Sequence, residues 1–245
     1  MPEITGSKYL VMAGWADVPH LDEKAKAELR ESTPPHLRDA REFGKPSLGS
    51  GAIYPIAETE IVCEPFQVPA HWPMVYALDV GWKRTAAIWG AWDRESDIVY
   101  LWSEHYRGGA EPSVHADAIR RRADWIPGVI DPASRGRSQV DGRQLLGMYE
   151  DLGLSLTPAK NAVESGIHEV WQRFSSGRLK VFSTLQNTLA EFRLYRRDDK
   201  GRIVKENDHL MDCIRYLVVS GLEVSCTMPV YFQGDHRQID SPTGY

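Results

Sequence analysis

Residues 74–82 read Met74-Val75-Tyr76-Ala77-Leu78-Asp79-Val80-Gly81-Trp82. Five apolar residues run unbroken into an acid, and a glycine follows two positions later. A short run with no polar interruption is what a strand covered on both faces requires. An acid at the end of such a strand projects from a rigid support into a cleft, and Gly81 lets a second backbone or a phosphate come close. Just downstream, residues 85–92 and 98–106 are two further strand-like runs, with a turn at 93–97. Short connections make these three strands antiparallel neighbours.

Past them the pattern alternates. Ser113 is read as the cap of a helix reaching about residue 123. Gly128-Val129-Ile130 is a short apolar strand ending at Asp131-Pro132. Helix-like segments at 142–152 and 166–176 alternate with strand-like segments at 154–158 and 179–182. Residues 189–195 and 202–205 flank Asp198-Asp199-Lys200-Gly201, a hairpin signal. A last helix opens at Asp208 and runs to about residue 221. Three antiparallel strands followed by strand–helix alternation predict an α/β fold. It has one mixed sheet, antiparallel then parallel, with helices on both faces, an order that resembles a ribonuclease H-like sheet.

Upstream, residues 9–13 are a short strand candidate. Residues 22–29 are a short helix with Asp22 as N-cap, ended by Pro34 and Pro35. Gly44, Pro46, Gly49 and Gly51 mark an irregular stretch. We therefore expect a linker or domain edge over 1–65, the folded domain over 66–228, and a patternless tail over 229–245. Gly44-Lys45 is not a phosphate-binding loop, because Asp39 stands where its first glycine belongs and Pro46 where its Ser/Thr belongs.

Of the 245 residues 42% are hydrophobic and 26% charged, which excludes a disordered or collagenous chain. No apolar run approaches the roughly 18 residues of a membrane span. The opening Met-Pro-Glu-Ile-Thr lacks the features of a signal peptide. Cys63, Cys213 and Cys226 form no Cys-x-x-Cys pair. Neither a zinc ribbon nor a disulfide framework is supported, and a reducing cytoplasmic setting is expected. A net charge of −5 argues against a general nucleic-acid coat. It is compatible with a nuclease, where an acidic metal site lies beside a local basic groove.

Four carboxylates are the candidate chemistry. Asp79 and Asp131 each end a strand, and on adjacent strands they would lie about 5 Å apart. That spacing suits a shared divalent cation better than two free anions. Each is also a plausible turn residue bonding its own backbone. Asp208 and Asp212 share one face of the last helix, opposite Leu210, Ile214, Leu217 and Gly221. Taken singly, Asp208 could be only an N-cap and Asp212 only a partner of Arg215. Together the set matches the carboxylate oxygens that Mg²⁺ or Mn²⁺ prefers. Two such ions about 4 Å apart can activate water and stabilise a leaving phosphodiester oxygen. No His-Glu-x-x-His and no Gly-x-Ser-x-Gly competes. Basic residues that could track phosphates follow the same strand ends: Arg135, Arg137 and Arg143, then Lys160, then Arg193, Arg196, Arg197, Lys200, Arg202 and Lys205 against Asp198 and Asp199. Tyr195 and Trp82 are candidate stacking partners. Arg120-Arg121-Arg122 reads as surface.

Four stretches carry a more specific likeness. They are Ala77-Leu78-Asp79-Val80-Gly81-Trp82, Asp131-Pro132-Ala133-Ser134, Lys160-Asn161-Ala162-Val163 with Gly166-Ile167, and Asn207-Asp208-His209-Leu210-Met211-Asp212 with Arg215-Tyr216. In this order and spacing the chain resembles the large terminase subunit of tailed bacteriophages, in its C-terminal nuclease domain. Residues 15–21 and 46–51 resemble the join to that family's ATPase domain. With neither Walker A nor Walker B, the chain is expected to be a nuclease module without its motor. The resemblance implies a metal-dependent endonuclease that cuts double-stranded viral DNA during genome packaging with two Mg²⁺ or Mn²⁺ ions. It makes Asp79, Asp131 and Asp208 the catalytic metal ligands, with Asp212 an accessory or alternative one. Portal protein and the small terminase subunit are the implied partners, in the host cytoplasm. Two other readings stand beside it. One is a different ribonuclease H-like metal nuclease, such as a resolvase or a transposase-like enzyme. The other is a non-catalytic docking module for portal or small subunit.

Overall fold

The computed structural model describes residues 3–5, 8–10, 13–33, 38, 41–44, 51–135, 145–198 and 200–229. Two short strands, β1 (Glu3–Thr5) and β2 (Lys8–Leu10), pair antiparallel. Helix α1 (Glu23–Ser32) follows. Asp22 caps it as expected, its carboxylate accepting the Ala25 N–H at 2.7 Å. The prolines expected to end it, the stretch 45–50, the start of the 142–152 helix and the tail from 230 lie outside the described residues.

The body of the molecule is a seven-stranded mixed sheet. Its chain order runs α2 (Glu58–Ile61), β3 (Val62–Cys63), β4 (Met74–Asp79), β5 (Thr85–Asp93), β6 (Ile98–Arg107), α3 (Pro112–Arg120), β7 (Gly128–Ile130), α4 (Leu145–Asp151), β8 (Leu156–Pro158), α5 (Val163–Ser175), β9 (Leu179–Phe182), α6 (Gln186–Leu194) and α7 (His209–Tyr216). Across the sheet the order is β3-β9-β6-β5-β4-β7-β8. β4, β5 and β6 are antiparallel, while β7 and β8 on one side and β9 and β3 on the other pair parallel. This is the ribonuclease H-like arrangement expected, with two parallel strands added at the β6 edge.

The run at 74–78 is apolar throughout because both faces of β4 are covered. Side chains alternate across a strand, so Val75 and Ala77 enter one core while Met74, Tyr76 and Leu78 enter the other. α7 lies on the Val75 side and is buried on every face, residues 210–216 included. It continues through a π-helical stretch, Leu217–Gly221, into Leu222–Val224.

Three expectations need correcting. α3 starts at Pro112, whose fixed φ suits the first helical position, so Glu111 rather than Ser113 holds the cap position. Residues 189–195 are mostly helix (α6), because Leu185, Leu189 and Phe192 recur at helical spacing and are buried together. The hairpin shrinks to one bridge, Arg197 opposite Ile203. Its turn is closed by Gly201 N–H to Asp198 O at 2.8 Å. Gly201 takes φ +76 there, a backbone shape that glycine adopts without steric cost. Residues before 66 also enter this core. β3 pairs with β9, and Tyr54 and Ile61 are buried. Among the described residues no helix is long and apolar enough to cross a membrane, and all three cysteines are free.

Candidate active site

The pairing of β4 with β7 builds the site. Leu78 lies opposite Ile130, and the Asp131 N–H donates to Leu78 O at 2.9 Å. Asp79 and Asp131 therefore leave adjacent parallel strands side by side at their carboxyl ends, where ligands of open α/β sheets gather.

α7 closes the site from the other side. His209, Asp212 and Tyr216 fall within about 60° of one another around the helix. His209 Nδ1 lies 2.8 Å from Asp79 Oδ2. The Tyr216 hydroxyl donates to Asp131 Oδ1 at 3.1 Å, and the Ala133 N–H donates to the same oxygen at 3.0 Å. Burial raises the Asp79 carboxyl, the His209 hydrogen bond opposes that, and the charges of Asp212 and Asp131 add to the rise. The hydrogen bond to Asp79 raises His209 in turn, against its own burial. Burial raises the Tyr216 phenol, followed by the charges of Asp212 and Asp131.

Asp212 and Asp208 already have cations. Asp212 Oδ1 accepts from Arg215 Nη2 at 2.7 Å, and Asp212 Oδ2 accepts from Lys205 Nζ at 3.2 Å. Lys205 Nζ also lies 3.0 Å from Asp208 Oδ2. Asp208 holds the helix cap position without a side-chain capping bond. Lys205 touches both, but Asp212 shares the helix face of His209 and Tyr216, which bond Asp79 and Asp131.

Among the described residues no three His, Cys, Asp or Glu side chains are grouped tightly enough to hold an ion as they stand. The donor chemistry still fits a hard divalent cation. Asp79 and Asp131 each have one oxygen, Oδ1 and Oδ2 respectively, that accepts no hydrogen bond from a described residue. Two adjacent carboxylates with one such oxygen each make a pair that a cation could share.

Several contributors were invisible to spacing arguments. Glu191 is 3% exposed. Its Oε1 accepts the Tyr106 hydroxyl at 2.6 Å and its Oε2 accepts the Leu210 N–H at 2.6 Å, which fixes the start of α7. Burial raises its carboxyl despite both bonds. Nothing in the sequence joins residues 106, 191 and 210. His209 and Tyr216 had a faint signal, since they flank Asp212 at three and four positions.

Four cations of the expected phosphate track have acidic partners within the chain. Arg193 is held by Glu58, Arg197 by Glu164, Arg202 by Asp198 and Lys160 by Glu223. Arg196 and Lys200 have no described ion-pair partner. The Arg135 side chain, and all of Arg137 and Arg143, lie outside the described residues. Tyr195 is 2% exposed and cannot stack on a ligand, whereas Trp82 is 69% exposed. Arg122 is not free surface. Its guanidinium lies 4.3 Å over the Trp89 ring and donates to Ser103 Oγ, Ala118 O and Glu104 O.

The family described as Terminase RNaseH-like domain matches residues 77–220. Terminase large subunits of Enterobacteria phage LP7 and Salmonella phage P22 are each 36% identical over 211 residues. That stretch is 82% of this chain but 44% and 42% of those two proteins, so the chain spans less than half the length of the curated relatives it matches. The solved P22 large terminase nuclease domain superimposes with a TM-score of 0.68 at 34% identity, covering 73% of this chain and 96% of that one. The large terminase of a thermophilic bacteriophage, solved with ADP, shares the fold at a TM-score of 0.61 and 18% identity, covering 85% of this chain and 54% of that one.

Proposed function

The chain belongs to the terminase RNaseH-like domain family, and from that membership we propose that it is a divalent-metal-dependent endonuclease that cuts double-stranded viral DNA during genome packaging. The observation that carries the reading is the Asp79–Asp131 pair. Two carboxylates at adjacent carboxyl ends of parallel strands, each with one oxygen free of described partners, repel each other unless a cation stands between them.

Asp79 and Asp131 would hold Mg²⁺ or Mn²⁺, with Asp212 or Asp208 as third carboxylate. Bound divalent ions would supply the activation of a water and the stabilisation of the leaving oxygen of a phosphodiester. The rest is the work of this chain. The Tyr216 hydroxyl and the Ala133 N–H fix Asp131, and His209 fixes Asp79. Lys205 bridges Asp208 and Asp212, and Arg215 pairs with Asp212 as well, so recruiting Asp208 requires Lys205 to give way and recruiting Asp212 competes with both cations. Glu191 holds the helix start that carries three of these groups. Portal protein and the small terminase subunit are the partners we propose, and the host cytoplasm is the setting.

Plasmid cleavage with Mn²⁺, Mg²⁺ or EDTA, wild type beside Asp79→Asn, tests the reading. Metal-dependent cutting is expected in the wild type and a loss of at least about a hundredfold in the variant. Undiminished cutting by Asp79→Asn at an unchanged melting temperature would remove Asp79 from the site. Mn²⁺ calorimetry without DNA reads the metal site independently of cleavage, and absence of heat in the wild type would argue for a docking module.

A further inference from the structure

Trp82 is the most exposed of the large apolar side chains described, at 69%, ahead of Phe43 at 49% and Met228 at 48%. A single exposed indole proves little by itself. Its mounting is unusual. The Thr85 hydroxyl donates to Gly81 O at 3.0 Å and accepts from Gly81 N at 3.4 Å, which closes the loop that carries Trp82. The Gly109 N–H donates to Trp82 O at 3.0 Å. A Cβ on Gly108 would stand 2.0 Å from Lys83 O, so only glycine there lets the end of β6 brace the loop. The Arg84 guanidinium lies 4.3 Å over the Tyr106 ring. The loop is thus held from several sides while its indole points into solvent.

The charges around it differ from those on the expected track. Lys83 and Arg107 are exposed, and among the described residues none of Lys83, Arg84 and Arg107 forms an ion pair. Arg193, Arg197, Arg202 and Lys160 are all neutralised by acids of the chain itself. Arg196 and Lys200 also lack a described partner, but Lys83, Arg84 and Arg107 are the unpaired cations that the β5 start and the β6 end bring beside Trp82. They are also close to the two strand-end acids. Trp82 follows Asp79 by three residues, at most about 11 Å of chain. Arg107 pairs with Thr85 on β5, two strand spacings or about 10 Å from the β4 end. Nucleotides on one strand of B-DNA advance about 3.4 Å each, so this surface reaches to within about three nucleotides of a phosphate at Asp79.

We infer that Trp82, Lys83, Arg84 and Arg107 form the surface that seats DNA at the cutting site. The cations bind backbone phosphates, and the indole packs on the base or sugar of a nucleotide near the scissile phosphate. The inference rests on the nuclease reading and names its DNA-binding surface.

Binding of a short fluorescein-labelled duplex in EDTA, followed by anisotropy over a salt series, separates the contributions. Trp82→Ala is expected to weaken binding about tenfold at every salt concentration, with the slope of log K against log salt unchanged. Trp82→Phe should keep most of the affinity. Lys83→Ala with Arg107→Ala should flatten that slope by about two. Arg202→Ala, which removes a cation already held by Asp198, should stay within twofold of wild type. Trp82→Ala within twofold of wild type would overturn the role of the indole. A loss confined to Arg202→Ala would return the surface to the hairpin. A wild type that cuts no plasmid and binds no duplex would overturn the nuclease reading itself and this inference with it, a failure distinguishable from the other two.

Discussion

Arg215 is 3% exposed, and its guanidinium holds Asp212. It fits because position 166 on α5 is glycine. A Cβ there would stand 2.8 Å from Arg215 Cγ and 3.0 Å from Cδ. Gly166→Ala gains up to about 1 kcal/mol of helix propensity, but overpacking a buried site costs about 1–3 kcal/mol. A net loss of about 1 kcal/mol is expected from urea unfolding. A higher midpoint would show that Arg215 moves aside freely. A second residue-scale expectation concerns pH. His105 Nε2 lies 2.9 Å from His115 Nδ1. Burial, then the charges of His115, Arg122 and Arg107, push His105 down to about 4, and burial also lowers His115. In the fold His105 stays neutral down to about 4 and His115 also holds its proton less tightly than usual, whereas the unfolded chain titrates near about 6.5. The unfolded state therefore binds more protons below about pH 6.5, and stability falls as pH drops from there toward about 4. In His105→Gln the fall in unfolding midpoint between pH 7 and 5 should be shallower than in the wild type, and equal slopes would refute the assignment.

α6 shows how one element is held by another. Its own cap residue, Leu185, makes no side-chain bond. Glu104 on β6 supplies the cap instead. Its carboxylate accepts the N–H groups of Asn187 and Thr188 at 3.0 and 2.9 Å, and their side chains at 2.7 Å each. Glu104→Ala should destabilise the protein by about 1–3 kcal/mol, since helix-start donors lose an ionised acceptor. A change under about 0.5 kcal/mol would mean that water replaces it. This cap also explains what the sequence could and could not tell. β4 was legible because its signal is local, five apolar residues and an acid. Asp22 was legible as a cap because it lies next to the helix it caps. α6 was misread because its cap comes from a strand 83 residues away, so no start signal precedes residue 186. Glu191 failed for the same reason, since its partners are Tyr106 and Leu210 on other elements. Spacing finds the acids of a site, whereas the residues that hold those acids come together only through the sheet order.

At the scale of the whole molecule the open question is where the folding unit begins. Composition changes near residue 66, yet the core reaches further back. Tyr54 packs against Phe174, Phe192 and Tyr195 with ring centroids 5.6, 6.0 and 5.6 Å away. Ile61 is fully buried, β3 extends the sheet, and Glu58 neutralises the half-buried Arg193. Burying each large apolar side chain contributes about 1.5–3 kcal/mol. Losing Tyr54, Ile56 and Ile61 together would remove a large share of a typical total of about 5–15 kcal/mol. Arg193 would also be left without its carboxylate beside the aromatic cluster, a further cost. A variant starting at residue 51 should therefore melt cooperatively near the full chain, whereas one starting at residue 66 should melt lower by about 10 °C or more, or fail to stay soluble. Equal melting temperatures for the two would place the boundary back at 66. Lower stability in the shorter variant alone would make residues 51–65 part of the unit that holds α5, α6 and α7 against the sheet, and through α7 part of what keeps His209, Asp212 and Tyr216 over the strand-end acids.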